Sequence, residues 1–244
     1  MNPKELKSSL AGVAVIIPAL NEEDSLRTLL PVLRAMSLDQ IIVCDNGSTD
    51  ATREVAESNQ CDWVYQPRRG YGAACFSGMR QLTDTIHTVV FLDADLSDEP
   101  SRLLDLVSPI ISGESDFVVG TRESALREPG SMTFPQRVAN IIFPALLRIG
   151  WGFRYTDLGP FRAISRWALD RIDMKDRAYG WTIEMQIRAV EEKLRILEIP
   201  VPYRKRKGRS KISGTVRGAA LAAYWIIRTC VVLFVTKEIG RAHV

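Results

Sequence analysis

Histidine is scarce in this chain, with His87 and His243 the only two in 244 residues. That scarcity excludes a His-based metal cage and a Ser-His-Asp triad, so carboxylates must carry most of any chemistry. Cysteine is little better represented. Cys44, Cys61, Cys75 and Cys230 form no C-x-x-C pair and stand beside no histidine at ligand spacing. A zinc site and a disulfide framework are therefore not expected, and a reducing compartment fits. The sequence also lacks linker-length Gly/Ser- or Pro-rich tracts and any repeat of fixed period, which excludes a solenoid or propeller. A composition of 46% apolar and 25% charged residues is that of one ordinary globular unit.

Long hydrophobic runs are few. Gly12 to Leu20 contains Pro18 and enters Asn21-Glu22-Glu23-Asp24 without a small-residue cleavage site, so it reads as a buried strand rather than a signal core. Ala219 to Val235 sits at the short limit of a membrane span and carries Arg228 near its middle, at roughly 2.5–3.5 kcal/mol on insertion scales. It is expected to lie on the membrane or to pack on the domain. The net charge is only +3, but Arg204, Lys205, Arg206, Lys207, Arg209 and Lys211 crowd together and need an anion or a solvated face.

What is present is an alternation. Short runs rich in β-branched residues at Val13–Ile17, Gln40–Cys44, Trp63–Tyr65, Thr88–Leu92 and Phe117–Val119 predict strands buried on both faces. Helical patterns fall between them, over Glu22–Met36, Ala51–Asn59, Ala73–Leu82 and Ser101–Ile111. The pattern predicts an α/β fold with a mostly parallel sheet, whose ligand binds at the carboxyl ends of the strands. Beyond Gly120 come longer helical stretches, Phe134–Ile149, Ser165–Ile172 and Trp181–Lys193, then a strand at Arg195–Pro200. A catalytic domain over 1–214 is expected, followed by an apolar interfacial helix and tail over 215–244.

Four strand ends carry polar clusters. Most have a plain structural reading: Asn46-Gly47 as a turn, Asp50 as a helix cap, Gly70 and Gly72 as relief in a tight loop. Asp93-Ala94-Asp95 is different, because two carboxylates one residue apart repel unless a cation stands between them. Mg²⁺ or Mn²⁺ offsets that repulsion and can bridge to phosphate oxygens.

These segments together resemble the family 2 glycosyltransferases of GT-A fold, and within them the dolichyl-phosphate mannosyl- and glucosyltransferase-like branch. The parts that carry the resemblance are Ile17-Pro18-Ala19-Leu20-Asn21-Glu22, Asp45 to Asp50, Asp93-Ala94-Asp95, Gly120-Thr121-Arg122, Asp157 to Phe161 and Tyr203 to Lys211. The resemblance implies that Pro18, Ala19, Asn21, Glu22 and Asp45 line the nucleoside pocket and that Gly70 and Gly72 let the backbone approach the nucleotide. It implies that Asp93 and Asp95 hold the metal on the donor diphosphate. Arg204, Arg206, Ser210 and Lys211 would close over that diphosphate or over an anionic acceptor. Arg122 and Arg137 match positions that bind an acceptor phosphate, and Asp157, in the motif Asp157 to Phe161, is implied as a catalytic residue together with Asp95, Arg122 and Glu184.

The implied reaction is an inverting transfer of a hexose from a UDP- or GDP-sugar to a polyprenyl phosphate at the cytoplasmic face of the membrane, with no nucleic acid involved. In branches with a hydroxyl acceptor, Glu184 would be the general base. Gly159 replaces a usual Ser and Ser97 a frequent Gln, which leaves the donor open. A sugar-phosphate nucleotidyltransferase would need a Gly-rich loop where Pro18-Ala19-Leu20-Asn21 stands. A non-catalytic nucleotide-sugar-binding protein would have little use for the intact acidic pair.

Overall fold

A computed structural model describes residues 10–206 and 216–242. The alternation resolves into β1 (Val13–Ala19), α1 (Glu23–Ala35), β2 (Gln40–Asp45), α2 (Thr52–Ser58), β3 (Asp62–Tyr65), α3 (Tyr71–Met79), β4 (Thr88–Phe91), α4 (Leu103–Ile111) and β5 (Phe117–Thr121). The second half adds α5 (Phe134–Trp151), β6 (Arg162–Ser165), α6 (Arg166–Ile172), α7 (Trp181–Glu191), β7 (Ile196–Pro200) and α8 (Val216–Ala242). Among the described residues the strands form one seven-stranded sheet in the order β3-β2-β1-β4-β6-β5-β7.

Side chains alternate across a strand, so each central strand feeds two cores. Val13, Val15 and Ile17 of β1 pack with Leu26, Leu29, Leu30 and Leu33 of α1 on one face. Ala14 and Ile16 pack on the other, among residues that include Ala74 and Cys75 of α3 and Trp181 of α7. The apolar residues of α1 recur at i, i+3, i+4 and i+7, the spacing of one helical face. The four cysteines are buried free thiols within these layers.

The chain order reverses beside β1, which pairs with β2 on one side and β4 on the other, both in parallel. A crevice opens at such a switch point, outside the carboxyl ends of the strands. It lies here beyond Ala19, Asp45 and Phe91, the last residues of three strands.

One element was not expected from the sequence. The strand β6 is antiparallel to both β4 and β5 and inserts between them. It is four residues long with Arg162 at its start, too short and too polar at one end to announce itself. Arg162 is fully buried, and its guanidinium spans from the Gly159 carbonyl to the Thr182 carbonyl at 2.9 Å, tying the loop before β6 to α7. Burial lowers its pKa to about 10.

The close seat of α3 on the sheet gives a test. A Cβ on Gly78 would stand 2.6 Å from Cys44 Sγ and 2.7 Å from Ile16 Cγ2. Alanine gains about 1 kcal/mol over glycine in a helix, whereas overpacking costs about 1–3 kcal/mol. Gly78→Ala is expected to lower the urea midpoint; an unchanged or higher midpoint contradicts this packing.

Candidate active site

The turns after β1 and β2 lock onto each other. Asn21 sits at φ 51, accepts from Thr49 N at 2.7 Å and donates its own N–H to Ser48 Oγ at 2.8 Å. Asp45 Oδ1 accepts from Gly47 N at 3.1 Å and Ser48 N at 2.7 Å. Glu22 N donates to Thr52 Oγ1 at 3.0 Å, and Glu22 Oε2 accepts from Ser25 Oγ at 3.2 Å. Asn46 reaches further. Its Nδ2 donates to the carbonyls of Gln66 and Arg68 at 2.9 and 2.7 Å while its Oδ1 accepts from Gly70 N at 2.8 Å, fixing the loop before α3.

These turns border a cleft at the switch point. Pro18, Ala19, Glu22, Gly70, Asp93, Asp95 and Arg206 are among the residues that line it, and Asn21, Asp45 and Gly72 are not. The two glycines have a reason that the sequence did not show: a Cβ on Gly70, at φ 148, would meet the Arg177 carbonyl at 2.1 Å, and one on Gly72 the Asp176 carbonyl at 2.6 Å. Their bare faces admit the loop between α6 and α7. Gly72 N and Ala73 N donate to Ala178 O and Arg177 O, so that loop also caps α3.

The acidic floor of the cleft is crowded. Burial and the neighbouring Asp95 carboxylate push the Asp93 carboxyl above its ordinary range, against the pull of a 3.0 Å hydrogen bond from Tyr71 Oη. Asp95 is buried. Its Oδ1 accepts from Ser97 N at 2.9 Å, and its Oδ2 accepts from Arg206, whose Nε lies 3.0 Å away and whose Nη2 also donates. Asp98 completes the cluster. It is only 2% exposed, neither carboxylate oxygen has a hydrogen-bond partner among the described residues, and burial next to Asp93 and Asp95 raises its pKa well above the ordinary value.

The pair Asp93 and Asp95 fits a divalent cation: two carboxylates facing a cleft are too few to enclose an ion, which leaves coordination positions for water and phosphate. A guanidinium already occupies the cation's place on Asp95. Bound there, a divalent ion would supply Lewis-acid stabilisation of a departing diphosphate.

The basic segment is stitched to this floor. Arg204 N donates to Ser97 O at 2.8 Å, and its guanidinium pairs with Glu99 at 2.5 Å. Ser210 and Lys211 lie outside the described residues.

Arg122 and Asp157, expected from the sequence to serve the acceptor, form a buried pair. Arg122 Nε and Nη2 donate to Asp157 Oδ2 and Oδ1 at 2.8 and 2.7 Å, and Nη2 also reaches Asn140 Oδ1 at 3.1 Å. The guanidinium lies over the Tyr203 ring at 5.2 Å. Arg137 is on the exposed side of α5. Glu184 is 2% exposed, and its carboxylate accepts from Lys175 N and Asp176 N, the latter at 2.6 Å, holding the same loop that caps α3. Burial raises its pKa, with those backbone bonds opposing.

A family model described as Glycosyl transferase family 2 matches residues 14–173. The chain belongs to that family. It is 35% identical over 214 residues to an uncharacterized glycosyltransferase of Mycobacterium tuberculosis, covering 86% of this chain and 94% of that protein. It is 31% identical over 238 residues to an undecaprenyl-phosphate mannosyltransferase of Micrococcus luteus, covering 87% and 96%. Among solved structures, it superposes at 22% identity on the glucosyl-3-phosphoglycerate synthase of Mycobacterium tuberculosis in complex with Mn²⁺, uridine diphosphate and glucosyl-3-phosphoglycerate. The TM-score is 0.73, over 94% of this chain and 84% of that one, and the shared fold is GT-A.

The glycosyltransferase also places in its cleft Tyr71 and Tyr179, for which the sequence suggested no site role, and Asn46, which it suggested only as part of a turn. Tyr71 follows the glycine that opens α3, and Tyr179 precedes α7, positions whose exposure only the packed loops decide. Asp98 was within sight, three residues past Asp95, but its burial was not.

The Arg122–Asp157 pair gives a pH-dependent test of stability. Burial alone would raise the Asp157 pKa, but the charge and hydrogen bonds of Arg122 outweigh it and leave the carboxyl below its ordinary range. A depressed folded-state value stabilises the protein above the unfolded pKa and loses that effect as pH falls through the folded one. Asp157→Asn is expected to cost about 3–5 kcal/mol at neutral pH. In urea titrations the gap to wild type should narrow below about pH 4; a pH-independent gap contradicts the pairing.

Proposed function

We propose that this family 2 glycosyltransferase moves a hexose from a UDP- or GDP-sugar to a polyprenyl phosphate, with Mg²⁺ or Mn²⁺ held by Asp93 and Asp95. The observation that carries the donor half is the switch-point cleft, where Pro18, Ala19, Glu22 and Gly70 face two acidic side chains and an arginine. An acceptor phosphate oxygen attacks the anomeric carbon, the bond to the diphosphate breaks, and its electron pair leaves with the nucleoside diphosphate. Arg206 is within the cleft to receive that charge. An ionised phosphate nucleophile needs no base, consistent with a Glu184 carboxylate committed to backbone amides.

Support for the acceptor comes from three directions. A second, largely apolar cavity runs between α5, α7 and α8, lined by Ala139, Phe143, Leu158, Ile183 and Ile226, with Arg122 in its wall. It offers apolar surface for a lipid tail, with a guanidinium in its wall that is already paired with Asp157. Ile141, Ile142 and Ile149 of α5 and Tyr224, Ile227 and Val231 of α8 are exposed, a composition suited to an interface. Among the described residues no helix is long and apolar enough to cross a membrane, so the proposed contact is a helix lying on the bilayer while Thr229, Cys230 and Leu233 pack inward. The Micrococcus relative, finally, is named for transfer to undecaprenyl phosphate.

The test is transfer of labelled hexose from UDP- and GDP-sugars to undecaprenyl phosphate, read as label entering the organic phase. One donor should give Mn²⁺- or Mg²⁺-dependent product, and Asp95→Asn should reduce it at least about a hundredfold in protein that is still folded by circular dichroism at the assay temperature. Product formed only with a soluble hydroxyl or phosphorylated acceptor would remove the lipid reading, and a fully active Asp95→Asn protein would remove the metal.

A further inference from the structure

The cation place on Asp95 is already filled by a side chain of the same protein, and we propose that Arg206 is an internal latch that the metal must displace and the donor diphosphate then captures. The inference rests on the proposed metal role of Asp95 and goes beyond it, because it makes metal and donor binding depend on one another through a single guanidinium.

The geometry leaves the metal few alternatives. Asp95 Oδ1 is held by Ser97 N in the turn after β4, and Asp95 Oδ2 is the oxygen that Arg206 occupies through both Nε and Nη2. A divalent ion approaches a carboxylate oxygen to about 2.0–2.1 Å, so at Oδ2 it would meet a guanidinium already donating through two nitrogens, cation against cation. Metal and latch therefore compete for Asp95.

The stem of the basic segment determines where the freed group goes. Arg204 N bonds Ser97 O, the Arg204 side chain pairs with Glu99, and Lys205 N donates to Glu128 Oε2 at 2.8 Å. These ties hold the backbone up to Arg206, so release is a side-chain rotation. The Arg206 side chain is 36% exposed against 5% for Asp95, so it leaves without unpacking the core. It already lines the donor cleft. A diphosphate there offers a bidentate partner of the kind arginine favours.

Linkage follows from this exchange. Metal alone must break an ion pair and strand Arg206, and diphosphate alone must draw Arg206 from Asp95 and leave an uncompensated carboxylate in the crowded floor. Both together satisfy every charge. Coupling of this kind is reciprocal and typically 5–150-fold.

The experiment is a Mn²⁺ titration of the full chain, following free Mn²⁺ by its paramagnetic resonance signal, without nucleotide and with saturating UDP or GDP. Arg206→Ala should bind Mn²⁺ alone about fivefold or more tighter than wild type, yet no tighter, or more weakly, once the nucleotide is present. Lys205→Ala, which removes the same charge one residue away, should match wild type in both conditions. Equal tightening of Arg206→Ala with and without nucleotide would show a through-space charge effect and overturn the latch, as would unchanged or weaker binding without nucleotide. Those outcomes leave the metal role of Asp95 standing. Wild-type protein that takes up no Mn²⁺ even with nucleotide would overturn the metal role and the latch together.

Discussion

Three carboxylates, Asp93, Asp95 and Asp98, are driven together at the end of β4 in surroundings from which water is largely removed. Burial and neighbouring negative charge push the Asp93 and Asp98 carboxyls above their ordinary range, and much of the surrounding structure can be understood as a response. Arg206 pairs with Asp95, Tyr71 donates to Asp93, and the Asp98 carboxylate has no hydrogen-bond partner among the described residues. Such a cluster has spare capacity for positive charge, and it stands at the place where the sheet topology opens a crevice. The same crowding explains why the basic segment is bound so closely to the loop from Asp95 to Glu99, with bonds from Arg204 and Arg206 on either side of Lys205.

The donor cleft and the proposed acceptor cavity are separate but not independent. The loop between α6 and α7 brings Tyr179 into the cleft, closes over the bare faces of Gly70 and Gly72, and caps α3. Glu184 holds this loop from α7, and Asp176 accepts a hydrogen bond from Thr229 of α8 at 3.1 Å. The carboxylate that the resemblance offers as a base thus also ties α7 to this loop through backbone amides. Arg122 and Asp157 do the corresponding work beneath the acceptor cavity, where a bidentate pair keeps a guanidinium in place beside apolar walls.

Legibility in the sequence tracked how local the determining physics is. The strands β1, β2 and β4 stood out because strands buried on both faces read as unbroken apolar runs, and their polar ends fell together once parallel pairing was assumed. Asp93 and Asp95 were visible because charge repulsion acts between near neighbours in the chain. The insertion of β6 was not, since antiparallel pairing of four residues depends on partners far away in sequence. Nor was the reason for Gly70 and Gly72, which is the approach of a backbone about a hundred residues on, or the isolation of Asp98, which only burial creates. On α8, Thr229 and Cys230 face inward while Val231 and Val232 face out, a division that an almost uniformly apolar segment does not announce.

If the acidic floor holds a divalent cation against a diphosphate, crystals grown with UDP or GDP and Mn²⁺ will show it at a wavelength where manganese scatters anomalously. One strong peak is expected within coordination distance of Asp95, with the diphosphate on its far side and Arg206 turned away from the carboxylate. A nucleotide bound in the cleft with no manganese peak between Asp93, Asp95 and its phosphates would contradict it.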